Sequence, residues 1–284
     1  MPSYGRRLFA LQLRHLRRRY RLLRAAELQR AAAARRPSER FPVAVTFDDD
    51  LVTHLEAAAV LRRHRATATF FLCGASLERP FSFWWEDLQQ AFDSRRLRPD
   101  DVPYAPDALV EHALARTPSA IHRLAAVIEK LPADARADVA ARLCSRRRHD
   151  VRSLSAADVR ALAADFEIGF HTLRHHALMP LDDAALARAL EDGRSALAEV
   201  AGASVTTVAY PFGDADVRVA HAARAAGYAI GFTTRGRAVV PTADSLLLGR
   251  LEPSHQSVAE LGLQIVRALF AARRDARRPP LPVT

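Results

Sequence analysis

The chain has little cysteine, almost no lysine and no long apolar run. Cys73 and Cys144 are its only cysteines in 284 residues, which excludes a scaffold built on disulfides. No apolar stretch reaches the roughly 18 residues that a bilayer-spanning helix requires. The N-terminus is basic, but no apolar core or small-residue cleavage site follows it, so no secretory signal is visible. A cytoplasmic or peripheral-membrane location is the expectation. Lys130 is the one lysine, and arginine supplies the rest of the 42 basic residues. Aromatic residues make up 7%, and their placement among the arginine runs does not suggest a base-stacking surface. No nucleic-acid partner is expected.

What is present is globular. Hydrophobic residues make up 49% and charged residues 26%, enough to bury a sizeable core in one large α/β domain or two small ones. The net charge of +10 fits either compositional drift on solvated faces or affinity for an anionic surface.

Residues 6–34 read as one basic amphipathic helix. Phe9, Leu13, Leu16, Tyr20 and Leu23 recur three and four apart with arginines opposite. Such a helix packs on a domain or lies on an anionic membrane surface, and Pro37 ends the segment. A strand over 42–47, a helix over 55–65 and a strand over 66–72 then open a parallel α/β pattern. From about 78 to 153 the pattern turns helical, which marks an insertion containing Trp84 and Trp85. These two either anchor the insertion or stack on a sugar ring. Alternation resumes with helices over 155–164, 182–200, 216–226 and 257–272, and strands over 166–170, 205–210, 228–233 and 245–251. The domain organisation is thus 1–40, 41–278 and a tail at 279–284, and the fold class is a barrel-like α/β domain.

Three polar clusters each follow directly on an expected strand, where parallel α/β folds gather functional residues. Asp48, Asp49 and Asp50 follow VAVTF; His171 and His175 lie in HTLRH after FEIGF; Pro211, Phe212 and Gly213 follow VTTVAY. Two imidazoles with three residues between them plus a carboxylate make a site with open positions for water and substrate. Three adjacent carboxylates at the end of an apolar strand repel one another unless a positive group sits among them. Two of them also permit a division of labour, one ligating a cation and one acting as base. A fixed backbone N–H in the Pro-Phe-Gly turn suits an oxyanion.

Together these segments resemble the polysaccharide deacetylases, the NodB-homology group of carbohydrate esterase family 4. TFDDD (46–50), HTLRH (171–175) and AYPFG (209–213) stand in that family's order, and ATFFL, EIGFHT and LLLGRLEP are similar to its flanking segments. The resemblance covers about 42–77 and 155–253. It implies a distorted (β/α) barrel of the NodB-homology type, carrying the helical insertion and the N-terminal basic helix. It implies a hydrolase that removes N-acetyl or O-acetyl groups from a carbohydrate or glycan precursor, with an N-acetylated carbohydrate as partner. It further implies a divalent metal, zinc being the expected ion, held by Asp49, His171 and His175, with Asp48 as general base and the Phe212 amide as oxyanion donor.

The chain departs from the family pattern in several places. Asp50 stands where the first motif has glycine. Ala209 stands where an arginine often braces the base, and Arg250 is the expected substitute. The family's Asp-Trp and late Leu-x-His motifs are absent, and His255 is the only late histidine. Two other readings remain at this point. One is a degenerate scaffold that binds an anionic polymer. The other is a haloacid-dehalogenase-type, Mg²⁺-dependent phosphatase with Asp48 and Asp50 as its Asp-x-Asp pair.

Overall fold

The computed structural model describes residues 6–78, 83–117, 120–145, 153–173, 175, 177–253 and 257–275. The chain divides into a helical unit centred on residues 80–153 and a barrel unit formed by residues 4–79 and 154–284. The expected tail at 279–284 lies outside the described residues.

The strands are β1 (Arg21–Leu23), β2 (Pro42–Ala44), β3 (Thr46–Asp48), β4 (Thr69–Leu72), β5 (Glu167–Phe170), β6 (Thr207–Ala209) and β7 (Ile230–Phe232). The helices are α1 (Arg6–Arg19), α2 (Leu28–Ala34), α3 (Thr53–Arg63), α4 (Ala75–Glu78), α5 (Trp84–Asp93), α6 (Asp107–Leu114), α7 (Ala120–Glu129), α8 (Ala133–Ser145), α9 (Ala156–Ala163), α10 (Asp183–Glu191), α11 (Arg194–Ala201), α12 (Val217–Ala225) and α13 (Val258–Asp275).

In the barrel unit, β3 to β7 form one parallel sheet in sequence order, and β1 and β2 form a separate parallel pair. Side chains alternate across the main sheet. Phe70, Ile168, Phe170 and Val208 join the core that includes Leu186, Leu197 and Ala223 of the covering helices. Phe71, Ala209, Ile230 and Phe232 face the other way, into a core shared with Ala25 and Leu248. Past β7, among the described residues, the sheet continues only as a single bridge, Phe232 to Leu248. The Arg250 side chain spans the remaining gap, reaching Thr46 and Asp48 of β3. The result is the curled parallel sheet of the NodB-type barrel.

Four expected elements are corrected. The helix over 6–34 breaks after Arg19 into β1, a short 3₁₀ turn and α2. Nothing in RLLRAAE forbids a helix. The break comes from tertiary hydrogen bonds, because the Ala25 amide donates to Thr69 Oγ1 and the Ala26 amide to Glu167. The apolar face of α1 is also spent internally. Leu13 is in the main core, and Leu16 packs with Leu261 and Ile265 of α13, so this face is not available to lipid. The strand over 42–47 is two strands serving two sheets, with the Val45 carbonyl already accepting from the Thr69 amide of the second. The helix over 182–200 is two helices, because Gly193 takes φ +80° and its left-handed backbone ends the run. The strand over 245–251 shrinks to the Leu248 bridge as the chain turns back toward β3.

The helical unit has its own core, which includes Leu88, Val110, Leu124, Ile128 and Leu143. Trp84 packs against that core. Trp85 stacks on Phe83, with ring centroids 4.4 Å apart.

Candidate active site

The three consecutive aspartates at the end of β3 go three different ways. Asp49 takes φ +79°, a conformation that L-residues enter only under constraint. That kink turns each carboxylate to a different set of partners. Its shape is held by His54 on α3, whose Nε2 lies 2.8 Å from the Asp48 carbonyl and 3.0 Å from the Asp49 carbonyl. Carbonyl oxygens only accept, so Nε2 carries the proton. Burial pushes the His54 pKa down, which keeps the ring neutral.

Asp48 meets Arg250 in a fork. Nη1 and Nη2 each donate to one carboxylate oxygen at 2.7 Å, the bidentate geometry that guanidinium favours. Burial pushes the Asp48 pKa up, but the charges around it, Arg250 foremost, more than offset this and hold it at about 2. Asp48 is therefore ionised at neutral pH.

Asp49 faces the histidines. Its Oδ1 lies 3.6 Å from His171 Nε2 and 3.7 Å from His175 Nε2. His171 is buried at the end of β5, and its Nδ1 lies 2.7 Å from the Ala209 carbonyl at the end of β6. That contact fixes Nδ1–H and leaves the Nε2 lone pair aimed at the carboxylates. It is the outer-shell hydrogen bond that metal-ligating histidines usually make. Burial lowers the His171 pKa against the pull of Asp48, so the ring can ligate. His175 is held with φ +53°, its ring edge-on to His171 at 4.8 Å and to Phe212 at 4.5 Å. Ligand atoms on a tetrahedral ion with bonds of about 2.1 Å lie roughly 3.4 Å apart, close to the two nitrogen–oxygen separations. Asp49, His171 and His175 offer ligand atoms all within 4.8 Å of one another. By donor chemistry and spacing, the three fit a divalent cation with borderline-soft preferences.

Asp50 does something else. Its carboxylate is buried and accepts from the amides of Cys73 (2.8 Å) and Gly74 (3.1 Å) and from Ser76 Oγ (2.9 Å). It ties down the loop after β4, the next strand along. This accounts for an aspartate where the family has glycine. It also removes the Asp-x-Asp pair on which a phosphatase reading depends. The sequence reading missed both Asp50's clamp and His54. The position of His54 at the start of the helix after the aspartates was the available signal for the latter. Cys73 is buried beside this clamp, and burial raises its pKa, so it stays a neutral thiol.

Phe212 lies in the turn Pro211–Gly213 with φ +60°. A Cβ on Gly213 would collide with Thr234, so the turn admits only glycine there. The structure therefore brings Asp48, Asp49, His171, His175, Phe212 and Arg250 to one end of one sheet. His255 lies outside the described residues.

Residues 128–231 match the family model for polysaccharide deacetylase. The resemblance to that family is borne out. The matched segment includes His171, His175 and Phe212, while Asp48, Asp49 and Arg250 lie beyond it. Among solved structures, the Streptococcus pyogenes deacetylase PplD in complex with acetate superposes with a TM-score of 0.60 at 16% identity, over 91% of this chain and 86% of that one. IcaB from Ammonifex degensii gives 0.59 at 19%, over 93% and 92%. A de-N-acetylase from Aggregatibacter actinomycetemcomitans gives 0.57 at 13%, over 92% of both chains. At these identities the structural likeness is one of fold. No curated protein matches the chain. Carbohydrate deacetylase is the enzyme class that the polysaccharide deacetylase match supports.

Proposed function

We propose that this chain is a metal-dependent hydrolase that removes acetyl groups from the nitrogen of an acetamido sugar in a glycan or glycan precursor. The observation that carries the reading is the divergence of Asp48 and Asp49: one carboxylate is locked to Arg250, while its neighbour faces two histidines. Adjacent residues thereby take the separate roles that amide hydrolysis requires.

Asp48 is the general base. It accepts a proton as water adds to the acetyl carbonyl, and Arg250 keeps it ionised and oriented for that task. A carboxylate held this acidic is a weak base and needs an acidified water, which is the chemistry a divalent cation on Asp49, His171 and His175 supplies when bound, together with polarisation of the carbonyl. Zinc is the expected ion. The Phe212 amide donates to the oxygen that becomes negative in the tetrahedral state. As the C–N bond breaks, the departing nitrogen takes up a proton, and the one held by Asp48 balances it. Acetate and a free amine leave.

The test is amine release from a panel of N-acetylated sugars, with and without chelator, by the parent and by Asp48→Asn. Chelator-sensitive release that the variant loses supports the reading. Release of neither amine nor acetate from any sugar, with tight binding to an anionic polymer, would favour the non-catalytic scaffold instead.

A further inference from the structure

The large apolar side chains left exposed in the barrel unit are not scattered evenly. Leu263, Val266 and Phe270 on α13 are 49%, 42% and 61% exposed, and Leu11 on α1 is 48% exposed. The three on α13 recur at i, i+3 and i+7, so they form one stripe along the helix. That stripe lies opposite Leu261, Ile265 and Ala268, which are buried. Helix α1 lies alongside. Its Leu16 packs with Leu261 and Ile265, and its His15 sits next to Gly262, whose added Cβ would come within 3.4 Å of the ring. Both helices thus turn their inner faces to one core and their outer faces to solvent.

The exposed charge on the outer faces is mostly positive. On α1, Leu11 lies in a row with Arg7, Arg14 and Arg18, all exposed, and RRLFALQLRHLRRR contains no acid. On α13, exposed Arg267 and Arg274 flank the apolar stripe. The exposed acid Glu260 sits at the other end of the helix, where its carboxylate accepts from the Ser257 amide at 2.7 Å. An apolar stripe bordered by arginines is the pattern of a helix that lies in a bilayer interface, and a contiguous apolar patch is uncommon on a free surface.

We propose that the outward face of α13, with the neighbouring arginines of α1, is a docking surface for an anionic lipid bilayer. Leu263, Val266 and Phe270 enter the interfacial layer while Arg7, Arg14, Arg18, Arg267 and Arg274 meet headgroup phosphates. Charge complementarity selects this occupant. A two-fold contact with a second copy would set arginines against arginines. A polyanion without acyl chains would leave the apolar stripe in water. The surface differs from the buried face of α1, and it does not depend on the deacetylase reading.

The experiment is flotation of the full chain with vesicles of phosphatidylcholine mixed with phosphatidylglycerol, and with phosphatidylcholine alone, at low and high salt. The parent should bind the anionic vesicles, bind them less at high salt, and leave the neutral ones. Leu263→Gln with Phe270→Gln, and separately Arg14→Glu with Arg18→Glu, should each weaken binding by about tenfold or more. Both variants change only exposed residues, so thermal melting should match the parent. Absence of binding by the parent would overturn the proposal. So would equal binding to neutral vesicles, or parent-like affinity in the apolar double variant, which would mean generic attraction to polyanions. A parent that is a dimer in solution and becomes monomeric in the apolar variant would make the face a self-interface and overturn it equally.

Discussion

The two ends of the main sheet both carry polar side chains, yet they are built in opposite ways. At the N-terminal end, Glu167 accepts from Thr69 Oγ1 at 2.6 Å, from Thr207 Oγ1 at 3.2 Å and from the Ala26 amide at 3.2 Å. These partners are uncharged donors on ordinary strand and turn backbone. At the C-terminal end, Asp49, Thr172, His175 and Phe212 all hold positive φ. There Asp48 pairs with Arg250 and Asp49 faces two histidines, while Asp50 is tied to neutral donors, so three aspartates are forced apart over three residues. The N-terminal end is arranged to be satisfied, the C-terminal end to leave carboxylate and imidazole lone pairs converging. Backbone strain persists where surrounding structure over-determines it. Among the described non-glycine residues of the barrel unit only Arg65, before β4, holds positive φ elsewhere, so strain gathers at the end that holds the chemistry.

The largest expected effects break the C-terminal end. His175→Ala should remove bound metal and abolish turnover while the fold survives, as measured by metal content, amine release and circular dichroism on one preparation. Retained metal with full activity would show that the imidazole pair is ordinary loop structure. Asp48 and Asp49 should then prove unequal. Asp49→Asn should lower metal content, since a neutral amide is the poorer donor. Asp48→Asn should keep the metal and lose rate by about 10²–10⁴-fold, the usual cost of a lost general base. The reverse pattern would mean the two roles are crossed.

Arg250 offers a finer cut. Without its guanidinium, burial, already the largest single influence on Asp48, loses its main counterweight and pushes the pKa above the present value of about 2. Arg250→Ala should therefore lower activity at neutral pH by about tenfold or more and move the acidic limb of the pH–rate profile upward. The stability effect has a definite sign. The folded carboxyl lies below its unfolded value of about 3.9, so the ion pair's contribution is present above that value and is lost as pH falls toward 2. The stability gap between parent and variant should close over that window in acid titrations. A profile whose acidic limb does not move would leave Arg250 a strut that joins Leu248 to β3 and nothing more.

Much of the C-terminal end was legible before the fold. Short motifs following apolar strands identify the ends that converge, and the order TFDDD, HTLRH, AYPFG carries the family resemblance. Asp50's role was not legible. A carboxylate that clamps amides of the next strand's loop is a long-range contact, and no local pattern distinguishes it from a ligand. The break after Arg19 was hidden for the same reason. RLLRAAE continues the helical period of α1, and only the hydrogen bonds from Ala25 and Ala26 to Thr69 and Glu167 pull it out of the helix. The split at Gly193 was visible in principle. A glycine between two helical stretches is a stop signal, and there the apolar period of the flanking helices masked it.

The smallest expected effect belongs to the N-terminal end, and it is the control for the whole comparison. Glu167→Gln keeps the size of the side chain and one acceptor oxygen, but it replaces the other oxygen with a donor group. Thr69 Oγ1 and the Ala26 amide both donate to the same carboxylate oxygen, and Thr207 Oγ1 donates to the other. One orientation of the amide therefore keeps the first pair and confronts the Thr207 hydroxyl with N–H; the other orientation does the reverse. A hydroxyl can turn to accept where a backbone amide cannot, so the first orientation wins and Ala26 stays bonded. The cost is then the change from charged to neutral acceptor, about 1–2 kcal/mol, read as a lower denaturant midpoint with an unchanged slope. Turnover and metal content should match the parent, because nothing at the C-terminal end leans on Glu167. A loss of activity larger than the loss of stability would show that the two ends are coupled through the strands, and the division between scaffold and chemistry would have to be given up.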